Sequence, residues 1–252
     1  MTLSQKEAAK RVLQVRNAEL SFVDFVKSMH PEWKIPKFQY TLMHALNLLE
    51  KRNLYSGFTG DTDKKGNLIK KNQYGEPVYN ILINMPPRHA KSTFATQLFP
   101  AYYMGRNPSR YVMSTSYNAS LAVDFGRAVR SIAEEPIFPQ IFPHFAFDQT
   151  SRAADVWRTT DNGAYFGIGM GGTTSGRPAN LLIIDDPIKN RQEAESMTTR
   201  NNAWNYYISA LTTRLQPEAN GSHPIQIMIL TRWHPDDPGG RIQLTEDWQE
   251  NR

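Results

Sequence analysis

Asn80–Asn84, Arg110–Thr115, Leu181–Asp185 and Ile225–Leu230 are short, mostly apolar runs separated by much longer amphipathic stretches. The intervening Ser92–Met104, Asn118–Glu134 and Glu193–Leu211 carry apolar residues at helical spacing. A strand that is apolar on both faces must be covered on both. Helices placed between strands give a parallel sheet that cover. The expected fold class is therefore α/β, with a mostly parallel central sheet flanked by helices. Val156–Met170 adds a strand pair around the turn Asp161-Asn162-Gly163.

A chain of 252 residues is long enough for one large α/β domain with a real core. The chain has no cysteine, which excludes a disulfide framework, Cys-ligated zinc and thiol catalysis, and fits a reducing compartment. No uninterrupted apolar stretch is long enough for a membrane span, and the charged start does not read as a secretory signal. The net charge of +5 permits nucleic-acid binding without establishing it. Ahead of the sheet, Ser4–Met29 reads as one helical run ended by His30-Pro31, and Phe38–Arg52 as a second helix. Residues 1–55 are thus a helical N-terminal extension and 56–252 the core. Ser56–Pro77 is turn-rich and reads as an exposed hairpin or mobile loop. Its Lys64, Lys65, Lys70 and Lys71 are either solvated or a DNA contact.

The most informative segment is Ile83-Asn84-Met85-Pro86-Pro87-Arg88-His89-Ala90-Lys91-Ser92-Thr93, where a strand enters a tight loop and leaves as a helix. After Pro87, the loop amides of Arg88, His89 and Ala90, with the helix start at Lys91, Ser92 and Thr93, can cradle phosphates. The lysine then reaches the β/γ oxygens and the hydroxyl binds Mg²⁺. Both glycines of the usual phosphate-loop spacing are missing, with Met85 and Ala90 in their places. Alone, the segment is as easily a plain strand–turn–helix. The apolar strand ending in Asp185-Asp186 weighs for the phosphate loop. Asp185 is placed to hold the metal's shell and Asp186 to polarise water, against the plain reading of a strand running into an Asp-Pro turn. Thr231, after the next strand, can sense a γ-phosphate or merely cap its strand. Gly167-x-Gly169-x-x-Gly172 satisfies a dinucleotide fingerprint but opens no helix, so that reading is rejected.

Together with MSTSYNASLAVDFGRAVR, GMGGTTSGRPANLLIIDDPIKN and LTRWHPDDPGGR, these motifs resemble the large terminase subunit of tailed bacteriophages from about Phe38 to Arg241. The resemblance implies an additional-strand (RecA-like) P-loop ATPase that uses ATP and Mg²⁺ to drive double-stranded DNA into a procapsid. The implied partners are a portal ring, a small terminase subunit and further copies in a ring, in the host bacterial cytoplasm with no membrane. The family's nuclease domain is expected to be absent, since the third motif lies just before Arg252. Lys91 and Ser92 match the Walker A pair, Asp185 the metal-side acid and Thr231 the coupling position. Asp186 stands where a catalytic glutamate is common; Glu193 or Glu195 could substitute, but they read better as the solvated face of the following helix. Phe38-Gln39 resembles the adenine-reading segment, although Gln39 is equally readable as a surface helix residue. Arg177 is the one arginine in the segment before the acids, where the family carries a finger acting on a neighbour's ATP. Arg88 would act in cis, and Arg127 and Arg130 read as surface charge. Two other readings compete: a superfamily 2 helicase, which lacks its D-E-x-[DH] box here, and a non-catalytic nucleic-acid-binding module with a degenerate phosphate loop.

Overall fold

The computed structural model describes residues 3–62, 66, 68, 75–245 and 249–251. Helices α1 (Leu3–Leu20), α2 (Phe22–Met29) and α3 (Lys37–Glu50) come first. The expected single run over Ser4–Met29 is broken at Ser21, whose side chain accepts the Asp24 amide at 3.3 Å and restarts the helix as an N-cap. The amphipathic pattern does not show that break, because α2 keeps the apolar stripe going. The hairpin expectation for Ser56–Pro77 is met by antiparallel bridges Tyr55↔Pro77 and Thr62↔Leu68. Lys64, Lys65, Lys70 and Lys71 lie outside the described residues.

The sheet contains β1 (Asn80–Asn84), β2 (Tyr111–Ser116), β3 (Phe147–Arg152), β4 (Val156–Thr159), β5 (Ala164–Gly169), β6 (Leu181–Asp185), β7 (Ile225–Leu230) and β8 (Gln249–Asn251). Their order is β3-β4-β5-β2-β6-β7-β1-β8, parallel from β5 to β8, with β3 and β4 antiparallel at one edge. All five residues of β6 and all six of β7 are buried, as a sheet covered on both faces requires. Leu181, Ile183, Ile227 and Ile229 face one apolar cluster that includes Phe22, Phe25 and Leu46 of α2 and α3. Leu182, Ile184, Met228 and Leu230 face the other, closed by Tyr207 and Leu211.

The helices between and after these strands set the site. The expected helix over Ser92–Met104 is a π-helical stretch, Thr93–Leu98, running into α4 (Phe99–Arg106). Pro100 explains the wider turn. It has no N–H for the carbonyl four residues back, and its ring crowds that carbonyl. Next, α5 (Ala119–Glu134) starts at Asn118, which caps Leu121 at 2.8 Å, and a short α6 (Phe138–Ile141) follows it. The glycines of the rejected fingerprint belong to this packing. A Cβ on Gly169 would stand 2.5 Å from the Ala119 amide nitrogen and one on Gly167 2.7 Å from the Ala122 carbonyl, so they let α5 lie on the sheet. The expected helix over Glu193–Leu211 is also interrupted. Asn190 caps α7 (Arg191–Glu195), Ser196 caps α8 (Met197–Tyr206), and a π-helical turn over Tyr207–Leu211 finishes it. A last short helix, α9 (Pro238–Ile242), is capped by Asp237.

Charged side chains also hold the fold. Arg110 is buried between two buried acids, with Nη1 2.9 Å from Glu50 Oε1 and Nε 3.0 Å from Glu218 Oε2. Burial alone would raise the Glu218 pKa. Arg110, Tyr103 and Arg52 outweigh it, and the carboxyl titrates below its usual range. The ion pairs join α3, the start of β2 and the segment before β7. Among the described residues no helix is long and apolar enough to cross a membrane.

Candidate nucleotide site

The loop from β1 to Lys91 passes twice through the left-handed region, with φ +64° at Arg88 and +58° at Ala90. Ala90 stands where the usual loop has glycine. The chain therefore keeps a glycine-like course with a side chain in place. A left-handed L-residue costs about 1–2 kcal/mol, and glycine returns about 0.5–1 kcal/mol of that through unfolded-chain entropy. Ala90→Gly is accordingly expected to stabilise the protein by about 0.5–1 kcal/mol, read as a higher urea midpoint at an unchanged m-value. A lower midpoint would mean that the packing of the Ala90 methyl group outweighs the strain.

Lys91 is buried, its Nζ donates to Thr231 Oγ1 at 2.9 Å, and it lies 3.3 Å from Asp186 Oδ2. Asp186 adopts φ +44°, gives its amide to the Ile229 carbonyl at 2.8 Å and accepts the Thr231 amide on Oδ1 at 2.9 Å. The tips of β6 and β7 are thus tied together, and the loop lysine bridges both. Arg88, Ala90 and Asp186 account for three of the five non-glycine residues at positive φ among those described. Such strain persists where the surroundings over-determine it, and functional sites are where it gathers.

Asp185, 1% exposed, points the other way, under the helix. Its Oδ2 accepts the Thr96 Oγ1 hydroxyl at 2.6 Å, and the Ser92 hydroxyl lies near enough to favour the charged carboxylate. Burial pushes its pKa up to about 6. The Thr96 hydroxyl opposes the rise, the Asp186 charge adds to it, and Ser92 and Lys91 oppose it. A cation arriving here must displace a proton below about pH 6, so its apparent affinity falls as pH drops through that value. The donor set fits magnesium, which takes oxygen from one or two carboxylates and otherwise from phosphates and water. Ser92 and Asp185 would hold it.

The segment read as adenine-side adjoins the loop. Gln39 is buried, and its Nε2 donates to the His89 carbonyl at 3.3 Å. The Phe38 ring is exposed, 5.6 Å from that of His89, and His89 Nδ1 lies 2.9 Å from the Pro87 carbonyl. Arg88 is exposed on the loop. Arg127 pairs with Asp124 at 2.9 Å as a surface charge does, whereas Arg130, paired with Glu134 at 2.9 Å, is half-buried with its guanidinium 5.1 Å over the Phe147 ring. Arg177 does not join the cluster. Its guanidinium lies 5.8 Å over the ring of Phe166 in β5, and β5 is four strand spacings from β1, roughly 19 Å.

Two sets of residues escape the motif reading. Thr96 is one helical turn past Ser92, on the same face, and that spacing is the signal that would have found it. The second set clamps the segment after Thr231. Asp236 receives Arg241 Nε at 2.7 Å and Arg200 Nε at 3.1 Å, while Arg200 also donates to the Ala194 and Glu195 carbonyls. Arg232 Nε lies 3.0 Å from Asp237 Oδ1. Arg232, Asp236, Asp237 and Arg241 lie within LTRWHPDDPGGR and pair five residues apart, whereas Arg200 reaches Asp236 from 36 residues away and has no local signal.

With β7 inserted between β1, which feeds the loop to Lys91, and β6, which carries the acids, the strand order is that of an additional-strand, RecA-like α/β sheet. No protein-family model and no curated protein matches the sequence. Among solved structures, the large terminase of bacteriophage HK97 is similar with a TM-score of 0.47 and 12% identity, over 68% of this chain and 34% of that one. The chain spans about a third of that protein's length.

Proposed function

We propose that this chain is an ATP-hydrolysing motor domain of a phage large terminase. It would move double-stranded DNA into a procapsid, docked on a portal ring with a small terminase subunit and with further copies of itself. The observation that supports hydrolysis is the meeting of Lys91, Asp186 and Thr231 within hydrogen-bond reach, from three separate motifs, beside Ser92 and Asp185. The packaging role rests on the terminase-like motifs of the sequence. Magnesium, when bound, would supply charge neutralisation on the phosphates, and Ser92 and Asp185 would hold it. Lys91 exchanges its Asp186 partner for the β/γ oxygens. Asp186, released from the lysine, orients the attacking water and accepts its proton. Thr231, bonded to both, senses whether the γ-phosphate is in place. Phosphoryl transfer of this kind is catalysed by positioning and charge, which is what the cluster offers.

The test is binding of Mg²⁺-ATP, read with a fluorescent ATP analogue. The wild-type chain is expected to bind, and Lys91→Ala to weaken binding about 10–100-fold, the cost of one charged hydrogen bond. A wild-type chain that binds no nucleotide sinks the proposal.

A further inference from the structure

Thr96 is fully buried, and so is the carboxyl group it bonds. The 2.6 Å contact fixes Oδ2 of Asp185, so the acid cannot rotate about its last bond without breaking it. A buried carboxylate oxygen has few alternatives. Ser116, the register partner of Asp185 on β2, carries a buried hydroxyl that has no hydrogen-bond partner. The helix side of the acid is therefore bonded and the strand side is not.

The backbone around Thr96 is itself unusual. It sits in the π-helical stretch Thr93–Leu98, where the Phe99 amide reaches back to the Phe94 carbonyl, five residues away. π-Helical turns are rare and concentrate at functional sites. Pro100 enforces this one from the far end, while Lys91 and Ser92 anchor the near end in the site. Thr96 lies between them, one turn from Ser92, so a single helix presents two hydroxyls to one acid.

We infer that Thr96 is a positioning residue for magnesium, holding Asp185 so that its carboxylate and the Ser92 hydroxyl meet the ion together. The inference rests on the nucleotide-site reading above. Groups that orient a metal's ligands typically contribute 10–100-fold to its affinity. Thr96→Val keeps the shape and removes the hydroxyl, and Thr96→Ser restores it. The probe is fluorescent ADP titrated onto the full chain with and without Mg²⁺, with circular dichroism confirming that each variant is folded. Thr96→Val is expected to bind ADP without magnesium as the wild type does. It should then require about 10–100-fold more Mg²⁺ to reach the wild-type gain in affinity, and Thr96→Ser should recover most of the difference. In Mn²⁺ titrations followed by water-proton relaxation the same ranking is expected.

A Mg²⁺ dependence in folded Thr96→Val equal to the wild type overturns the inference. An equal loss in Ser116→Ala, which deletes the unbonded hydroxyl beside the same acid, would make the effect generic and overturn it as well. If Thr96→Val does not fold, the Thr96→Ser and Thr96→Asn titrations decide. Serine near wild type with asparagine weakened supports the role, and no difference between them overturns it. A wild-type chain showing no magnesium-dependent nucleotide binding overturns the functional reading, and this inference with it.

Discussion

Asp186→Asn is expected to bind Mg²⁺-ATP at least as well as the wild type and to turn it over about 10²–10⁴-fold more slowly, the usual contribution of a positioned base. The substitution is close to isosteric and suits the site. Asparagine tolerates the left-handed backbone that Asp186 adopts at φ +44°, and its side-chain oxygen can still accept the Thr231 amide. What disappears is the charge, and with it the ion pair to Lys91 at 3.3 Å. A freed lysine favours phosphate binding, so a fall in turnover without a fall in affinity isolates the hydrolytic role. Binding comes from the fluorescent-nucleotide titration and turnover from phosphate release under saturating nucleotide. Turnover near wild type would move the base to another acid. Glu195 is poorly placed for that role, exposed on α7 and 3.7 Å from Arg191 at its Oε1, which leaves Glu193 at the start of the same helix.

Most of the sheet was legible because burial on both faces leaves a strong mark. Leu181–Asp185 and Ile225–Leu230 have the bounds expected from their apolar runs, and the edge pair around Asn162 is where its turn residues put it. Helix interruptions were not legible. Ser21 and Ser196 look like ordinary polar positions inside amphipathic runs, and only their captured amides make them caps. The π-helical stretch before α4 depends on Pro100, which a periodicity count passes over because it scores apolar spacing and not a missing N–H.

The candidate site divides along the same line. Lys91, Ser92, Asp185, Asp186 and Thr231 stand out in the sequence because each ends or follows a strand in a recognisable motif, and the fold brings those strand ends to one edge. Thr96 was missed because its motif is only a helical spacing. The Arg200–Asp236–Arg241 clamp was missed because it joins α8 to the turn after β7, a contact that exists only once the chain is folded. Ala90 is the instructive intermediate. Its lack of a glycine weakened the phosphate-loop reading, yet the backbone takes the glycine-like conformation and bears the strain.

Arg177→Ala is expected to lower turnover by roughly 10³–10⁵-fold in assembled rings, the contribution of an arginine supplied across an interface. In its own chain the guanidinium packs over Phe166 and does not join the Lys91–Asp186–Thr231 cluster. Four strand spacings separate β5, under its guanidinium, from β1. Its segment has room to move, since a side chain added at Gly171 or Gly176 would meet nothing within 4 Å. Leaving the Phe166 ring would cost about 0.5–1 kcal/mol for a partly exposed cation–π contact. A 10³-fold gain corresponds to about 4 kcal/mol in the transition state, so the trade favours reaching the neighbour. The dilute monomer should therefore be a slow ATPase, and crowding or assembly should speed it. Mixing Arg177→Ala with Lys91→Ala separates this role from bracing of the glycine-rich loop. The first variant keeps an intact nucleotide site and the second keeps an intact finger, so mixed rings should regain turnover that neither has alone. A brace acts only within its own chain and gives no such recovery. Mixtures that stay inactive under conditions where wild-type chains assemble would assign Arg177 to its own loop.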